Sequence, residues 1–332
     1  MRTAACVVGA DGYLGQFVVD DLSREDSPFD VVYALARRES TTTSTSDKIH
    51  RIVFDITSAE SCADAVRAMT NGDDDARLLL VVNCAAMSSP GACEKEPKLA
   101  EAVNAPSTLW TATATATGTG EKQPPLWIQL STDHVFDGKS AMSDERVTPA
   151  PVNAYGASKV LCEETLAREY PRSVVLRSSI ITGPKPPLLD VQRTLFLDFI
   201  RDSFENKSEP TTFYEDEFRS PICVYDVCAV IRRVYARPPE TPKTYNMGGP
   251  DRVSRVDMAK AVAAHLANGD AALEAAYVGK IARASCEEAA RLRGVAAPPD
   301  ISMDSSALLA DVCGDAPPRS FAKQIIASLP RL

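Results

Sequence analysis

Short apolar runs alternate along this chain with longer stretches in which apolar residues return every three or four positions. The runs at 4–8, 31–35, 52–54, 78–82, 127–130 and 174–176 are rich in Val, Ile, Leu and Ala and read as buried strands. A helix is expected from about Tyr13, with Leu14, Phe17, Val18 and Leu22 on one face, and 59–69 is helical by the same spacing. Residues 108–120 alternate Thr with Ala, a period that taken alone suits a strand. Parallel strands need a crossover at this point, so a helix from about Ala105 is expected instead. The Ser- and Thr-rich stretch 39–47 reads as an exposed loop and 71–75 as a polar turn. This alternation predicts an α/β fold built on a doubly wound parallel sheet.

The alternation stops after about Gly183, where Pro184, Pro186 and Pro187 break the chain. A helix is expected over 194–204. Residues 219–224 lead into another, with Val227, Val230, Ile231 and Val234 on one face, and 245–247 is a short strand. Ser254 followed by Asp257 resembles a capping box ahead of a helix at 258–266. The expected division is a parallel-sheet domain over 1–182, to which 222–248 returns, and a smaller, irregular α/β lobe formed by 183–221 and 249–332.

Composition narrows the function classes. The 332 residues are 45% hydrophobic, enough for a sizeable core, and the net charge of -9 argues against a nucleic-acid binder. The nine cysteines are scattered without a Cys-x-x-Cys pair, and His50, His134 and His265 lie far apart, so no metal site is expected. Reduced cytoplasmic thiols are the simpler expectation. No signal or transit peptide is expected, since the first strand begins within a few residues of Met1, and no membrane span is expected, since no apolar stretch approaches ~20 residues.

Three stretches carry candidate chemistry. Gly9-Ala10-Asp11-Gly12-Tyr13-Leu14-Gly15 sits between the first strand and the first helix. Glycines there permit a tight turn and let backbone N–H groups reach a pyrophosphate at the helix N-terminus. The alternative is a tight turn without a ligand, which the strand before and the helix after disfavour. The second strand ends at Ala36, where an NAD-binding fold usually has Asp or Glu, and Arg37 and Arg38 follow. Guanidinium groups suit a 2′-phosphate, so NADP(H) is expected ahead of NAD(H); two solvated arginines are the alternative. The small residues of Asn83-Cys84-Ala85-Ala86 admit either a flat cofactor or close helix packing. Further on, Ser131-Thr132-Asp133 ends an apolar run, and Tyr155 and Lys159 lie four apart, on one face of a helix. A neighbouring ammonium lowers a phenol's pKa, so the pair could pass a proton near neutral pH.

Taken in order, these elements resemble the extended short-chain dehydrogenase/reductase family over residues 4 to about 246. Within it, Ser-Thr-Asp-His-Val-Phe-Asp-Gly at 131–138 is similar to the Ser-Thr-Asp-Tyr-Val-Phe-x-Gly stretch of dTDP-4-dehydrorhamnose reductases, with His134 in place of the tyrosine. Asn153-Ala154-Tyr155-Gly156 and Arg177-Ser178-Ser179 resemble the same group. The regulatory β subunit of methionine adenosyltransferase shares these features, and Arg219-Ser220-Pro221 and Met303-Asp304 lean toward it.

The resemblance implies roles, with a Rossmann domain over 1–182 binding NADP and the lobe of 183–221 and 249–332 binding the substrate. Gly9, Gly12 and Gly15, with Tyr13 and Leu14 between them, hold the pyrophosphate; Arg37 and Arg38 hold the 2′-phosphate; Asp55 and Ile56 flank the adenine; Ala85 and Ala86 line the nicotinamide. Thr132 binds the substrate carbonyl, Tyr155 donates the proton, Lys159 holds the ribose, and Asn104 organises a relay water. Met87, Asp133 and Arg219 face the substrate, Arg219 on its phosphates or in a surface ion pair. His134 reads as a core or rim histidine rather than a catalytic one. The implied activity is NADPH-dependent reduction of a 4-keto nucleotide-sugar; a homodimer is compatible with it, and the sequence leaves the oligomeric state open. One alternative is a non-catalytic subunit that binds NADP(H) and docks on the methionine adenosyltransferase catalytic subunit. Another is an epimerase or a dehydratase, although a dehydratase would want a carboxylate pair where only Asp133 stands.

Overall fold

The computed structural model describes residues 2–39, 46–70, 76–118, 123–190 and 194–329, and the side chains of Ala289 and Arg293 are left aside. The expected turn at 71–75 and most of the expected loop at 39–47 lie outside the described residues.

Elements follow in the order β1 (Arg2–Val8), α1 (Tyr13–Ser23), β2 (Val31–Ala36), β3 (Ile49–Val53), α2 (Ala59–Thr70), β4 (Ala76–Asn83), α3 (Pro90–Lys95), α4 (Pro97–Asn104), α5 (Ser107–Thr117), β5 (Leu126–Thr132), α6 (Ala154–Glu169) and β6 (Ser173–Ser178). Then come β7 (Ile181–Thr182), α7 (Phe196–Glu205), β8 (Thr211–Tyr214), β9 (Phe218–Arg219), β10 (Ile222–Cys223), α8 (Val224–Ala236), β11 (Lys243–Met247), β12 (Val253–Ser254), α9 (Arg255–Ala267), α10 (Ala271–Gly279), β13 (Ile281–Ala284), α11 (Cys286–Arg293), α12 (Ser306–Leu308) and α13 (Phe321–Ser328).

Seven strands form one sheet in the order β11-β6-β5-β4-β1-β2-β3, and every pairing in it is parallel. Helices cover both faces, which makes this the doubly wound Rossmann arrangement. β1 shows why the run 4–8 is apolar at every position. Ala5 and Val7 face a core shared with Val18, Leu22, Val230 and Ile231 of α1 and α8. Ala4, Cys6 and Val8 face the other core, with Val66, Leu109, Trp110 and Leu166 of α2, α5 and α6. β11 closes the sheet beside β6, so the chain returns to it after leaving at residue 183.

Three details depart from the sequence expectation. β3 starts at Ile49 rather than 52, because an outermost strand tolerates His50 and Arg51 within it. The helix expected from about Ala105 starts at Ser107, because Pro106 cannot donate the backbone N–H that would join it to α4. In α5 the hydroxyls of Thr113, Thr115 and Thr117 donate to the carbonyls four residues back, which is how a Thr–Ala alternation sits in a helix. Helices α3 and α4 were not expected at all; each is short and begins with proline at its first position.

Beyond the sheet, α7, α9 and α13 pack Leu197, Ile200, Phe204, Met258, Val262, Phe321 and Ile325 into a separate core. The capping box of Ser254 and Asp257 opens α9 as the spacing predicts. Among the described residues no helix is long and apolar enough to cross a membrane, and no cluster of His, Cys, Asp or Glu could hold a metal ion. Among the described residues no disulfide joins any of the nine cysteines.

Candidate active site

The glycine turn joins β1 to α1 at the C-terminal edge of the sheet. Gly9 has φ +77°, and a Cβ on it would lie 2.7 Å from the Ala85 backbone nitrogen. A Cβ on Gly15 would lie 2.1 Å from the Gly9 carbonyl oxygen, so glycine is what lets α1 start this close to the strand. Gly12 is the N-cap of α1, without a side-chain cap and with no acidic residue in the first turn. The first backbone N–H groups of the helix, including those of Tyr13 and Leu14, therefore keep their capacity to bind an anion.

Polar side chains hold this turn in place. Asn83 donates to Gln129 Oε1 (2.9 Å) and accepts from the Ala85 N–H (3.1 Å), which directs the chain after β4 toward Gly9. Arg51 of β3 pairs with Asp11 inside the turn. Gln16 is fully buried: its Nε2 donates to the Asp11 carbonyl, and its Oε1 accepts from Leu188 (3.1 Å) and Leu189 (2.7 Å). The Tyr13 hydroxyl donates to the Pro184 carbonyl (3.1 Å). The segment after Gly183 is thus fastened to the start of α1. Neither Gln16 nor Arg51 was singled out from the sequence. The available signal was a polar residue on the apolar face of α1 and a cation inside β3.

Arg37 and Arg38 are exposed directly after β2. Asp55 is exposed near them, and hydrogen bonds from Thr57, aided by the Arg37 charge, hold its carboxyl below the usual range. Ile56 packs on the core beneath, Ala85 is half-buried and Ala86 exposed.

At the tip of β5, the buried Thr132 hydroxyl donates to Asp133 (3.1 Å) and accepts from the His134 N–H (3.2 Å), capping a single 3₁₀ turn at Asp133–Val135. Asp133 is buried too, and accepts from Ser179 (2.8 Å), whose hydroxyl accepts from the Ser220 N–H (3.2 Å). Tyr155 lies half-buried in the first turn of α6, with its ring 5.5 Å from the His134 ring and edge-on to it. One turn on, the fully buried Lys159 donates to the Leu130 carbonyl (3.0 Å), and burial holds its pKa below the lysine range. One turn further, Glu163 is buried in an ion pair with Arg177 (2.7 Å) and accepts from Ser131 (2.5 Å). Asn104 donates to Met87 O (3.1 Å) and Ser158 Oγ (2.8 Å) and accepts from Met87 N (2.8 Å), bracing the segment after β4 against α6. One lone pair on its Oδ1 is left for any further partner.

Arg219 does not match either sequence expectation. It is 1% exposed, pairs with Glu217 (3.0 Å), and donates to the carbonyls of Phe218, Pro298 and Pro299. A guanidinium held this way is a structural clamp, neither a surface ion pair nor a free phosphate ligand.

The RmlD substrate binding domain family matches residues 3–315, and the chain belongs to that family. It is 32% identical over 190 residues to the probable low-salt glycan biosynthesis reductase Agl14 of Haloferax volcanii, across 56% of each chain. It is 29% identical over 188 residues to methionine adenosyltransferase 2 subunit beta of Pongo abelii, across 55% of this chain and 53% of that one. The matched stretch thus spans about half the length of these relatives. The crystal structure of dTDP-4-dehydrorhamnose reductase from Bacillus anthracis in complex with NADP superimposes with a TM-score of 0.72 over 98% of both chains, at 22% identity, a likeness of fold.

Proposed function

We propose that the chain is an NADP(H)-dependent reductase of a 4-keto nucleotide-sugar. The observation that carries this reading is the placement of Thr132 at the tip of β5 and of Tyr155 and Lys159 one turn apart on α6, with Lys159 bonded back to β5 at Leu130, in the sheet whose β1–α1 junction carries the glycine turn. Family membership and the reductase relatives support it. The chain fits the cofactor: a Cβ would fill the cradle at Gly9 and Gly15, and two exposed arginines follow β2 where no carboxylate stands. Gly9, Gly12 and Gly15 would hold the pyrophosphate, with Tyr13 and Leu14 contributing backbone. Arg37 and Arg38 would hold the 2′-phosphate, Asp55 and Ile56 would flank the adenine, and Ala85 and Ala86 would line the nicotinamide side.

Bound NADPH supplies the hydride. The residues of the chain manage the oxygen that then becomes an alkoxide. Tyr155 holds a proton on its phenol oxygen and delivers it to that oxygen. Thr132 turns its hydroxyl hydrogen from Asp133 to the carbonyl, a rotation a hydroxyl makes without moving heavy atoms. Lys159 places a positive charge one turn behind the phenol and favours the phenolate left after transfer. Met87 and Asp133 border the sugar.

The test is oxidation of NADPH, followed at the nicotinamide absorbance, with dTDP- and UDP-linked 4-keto-sugars. Tyr155→Phe is expected to remove turnover while NADPH still binds; turnover retained in that variant removes Tyr155 as the acid.

A second reading has its own support, the alignment with methionine adenosyltransferase 2 subunit beta from several vertebrates. On it the chain is a non-catalytic NADP-binding subunit that docks on the transferase. A complex with the catalytic subunit at micromolar concentration, together with no turnover of any keto-sugar, would select this reading.

A further inference from the structure

His134 stands where the resembling reductases carry tyrosine, and its surroundings define its protonation. Asn153 is the N-cap of α6, and its Oδ1 accepts from the Gly156 N–H (3.0 Å). On its other side Asn153 Nδ2 donates to the Ala296 carbonyl (3.2 Å). The cap and the carbonyl fix the same amide orientation independently, and that orientation presents Nδ2 to His134 Nδ1 at 3.3 Å. Two donors cannot share that contact, so Nδ1 carries the lone pair and the imidazole proton is on Nε2.

The same imidazole touches the Tyr155 ring, and the His134 carbonyl presses on the start of α6. A Cβ on Gly156 would lie 2.2 Å from that oxygen. Side chain and backbone of one residue therefore set the cap, the first turn and the phenol of α6. The charges around the ring are Asp133, Arg219, Arg255 and Glu217. Asp133 is already bonded to Thr132 and Ser179, and Glu217 to both arginines. Burial, the largest influence, and the two guanidinium groups hold the imidazole pKa below the histidine value against the pull of the carboxylates.

Resting on the reductase reading, we propose that His134 is a positioning residue for Tyr155 and works only as the neutral imidazole with its proton on Nε2. Protonating Nδ1 sets N–H against the Asn153 amide, costs that contact, and loosens the cap of the helix that carries the phenol.

The test combines side-chain NMR with kinetics on the full chain. Long-range ¹H–¹⁵N correlation resolves the three histidines, with His134→Phe assigning the signal. The expected result is the Nε2–H tautomer at neutral pH, titrating below the ordinary histidine value. An Nδ1–H tautomer or an imidazolium at neutral pH overturns the inference. In turnover with NADPH and the keto-sugar, kcat of the unaltered chain should fall on the acid side along the His134 titration, at constant KM. His134→Phe keeps a ring without Nδ1; its kcat should be about tenfold lower, with unchanged NADPH affinity and no acid limb. Asn153→Ser keeps a capping oxygen and should move the His134 titration and the acid limb upward together. An acid limb unchanged in His134→Phe overturns this inference alone, whereas an unaltered chain with no turnover removes the reductase reading and this inference with it.

Discussion

Gln16 accepts the backbone N–H of Leu189 at 2.7 Å, tying the first helix to a loop 173 residues further along. With the Leu188 contact and the donation to Asp11, one buried amide fixes the glycine turn and the segment that crosses it. Gln16→Leu leaves two N–H groups and one carbonyl without their partner. The expected cost is about 2 kcal/mol in urea unfolding, with faster amide exchange at Leu188 and Leu189. Unchanged exchange there would mean the loop is held by other contacts.

The glycine turn is steric before it is chemical. Gly15→Ala sets a methyl against the Gly9 carbonyl and should cost about 3 kcal/mol and abolish NADPH binding. Gly269→Ala is the control: φ is +92° but no atom lies within 4 Å, so about 1 kcal/mol is expected and cofactor binding should persist. Denaturation midpoints and fluorescence titration read both.

Arg37→Ala combined with Arg38→Ala should weaken NADPH binding about 10- to 100-fold and leave NADH binding unchanged. Equal affinity of the unaltered chain for the two cofactors, measured by the same titration, would refute the assignment of these arginines to the 2′-phosphate.

The Glu163–Arg177 pair is buried on both sides, and Arg177 Nη1 has no hydrogen-bond partner among the described residues. Glu163→Ala strands a buried cation and should cost about 3–5 kcal/mol. Replacing both residues with leucine should cost clearly less than the sum of the single changes, which a double-mutant cycle in urea measures.

Lys159 predicts a pH dependence. Its folded pKa is depressed, so between that value and 10.5 the unfolded chain binds the extra proton and stability rises with pH. Lys159→Met removes this contribution. The stability of the variant relative to the unaltered chain should be most favourable below the folded pKa of Lys159 and decline as pH rises toward 10.5, read from denaturation at a series of pH values.

The sequence made the turn and the Tyr155–Lys159 pair legible because both depend on residues within one turn or one helix. The three glycines at fixed spacing announce a close approach, and an i,i+4 pair announces a shared face. What escaped depends on distant segments. Arg219 looks like an exposed cation until Pro298 and Pro299 are brought over it. Gln16 looks like an interruption of an apolar face until Leu188 and Leu189 arrive. His134 was read as a core or rim residue, and only Asn153 and Ala296 together define which nitrogen carries its proton. Helices α3 and α4 escaped for a local reason, being too short for a periodic signal between their prolines.

The late return of β11 to the sheet bears on how the chain can be made and cut. A polypeptide leaving the ribosome completes β6 some 65 residues before Lys243–Met247 arrives to pair with it. In that interval the β6 edge shows an unpaired ladder of backbone groups flanked by apolar side chains, a template for wrong partners. A fragment ending at 182 would keep that edge open permanently, so it should aggregate where the whole chain folds, and a soluble dinucleotide-binding fragment would have to carry the 222–248 segment with it.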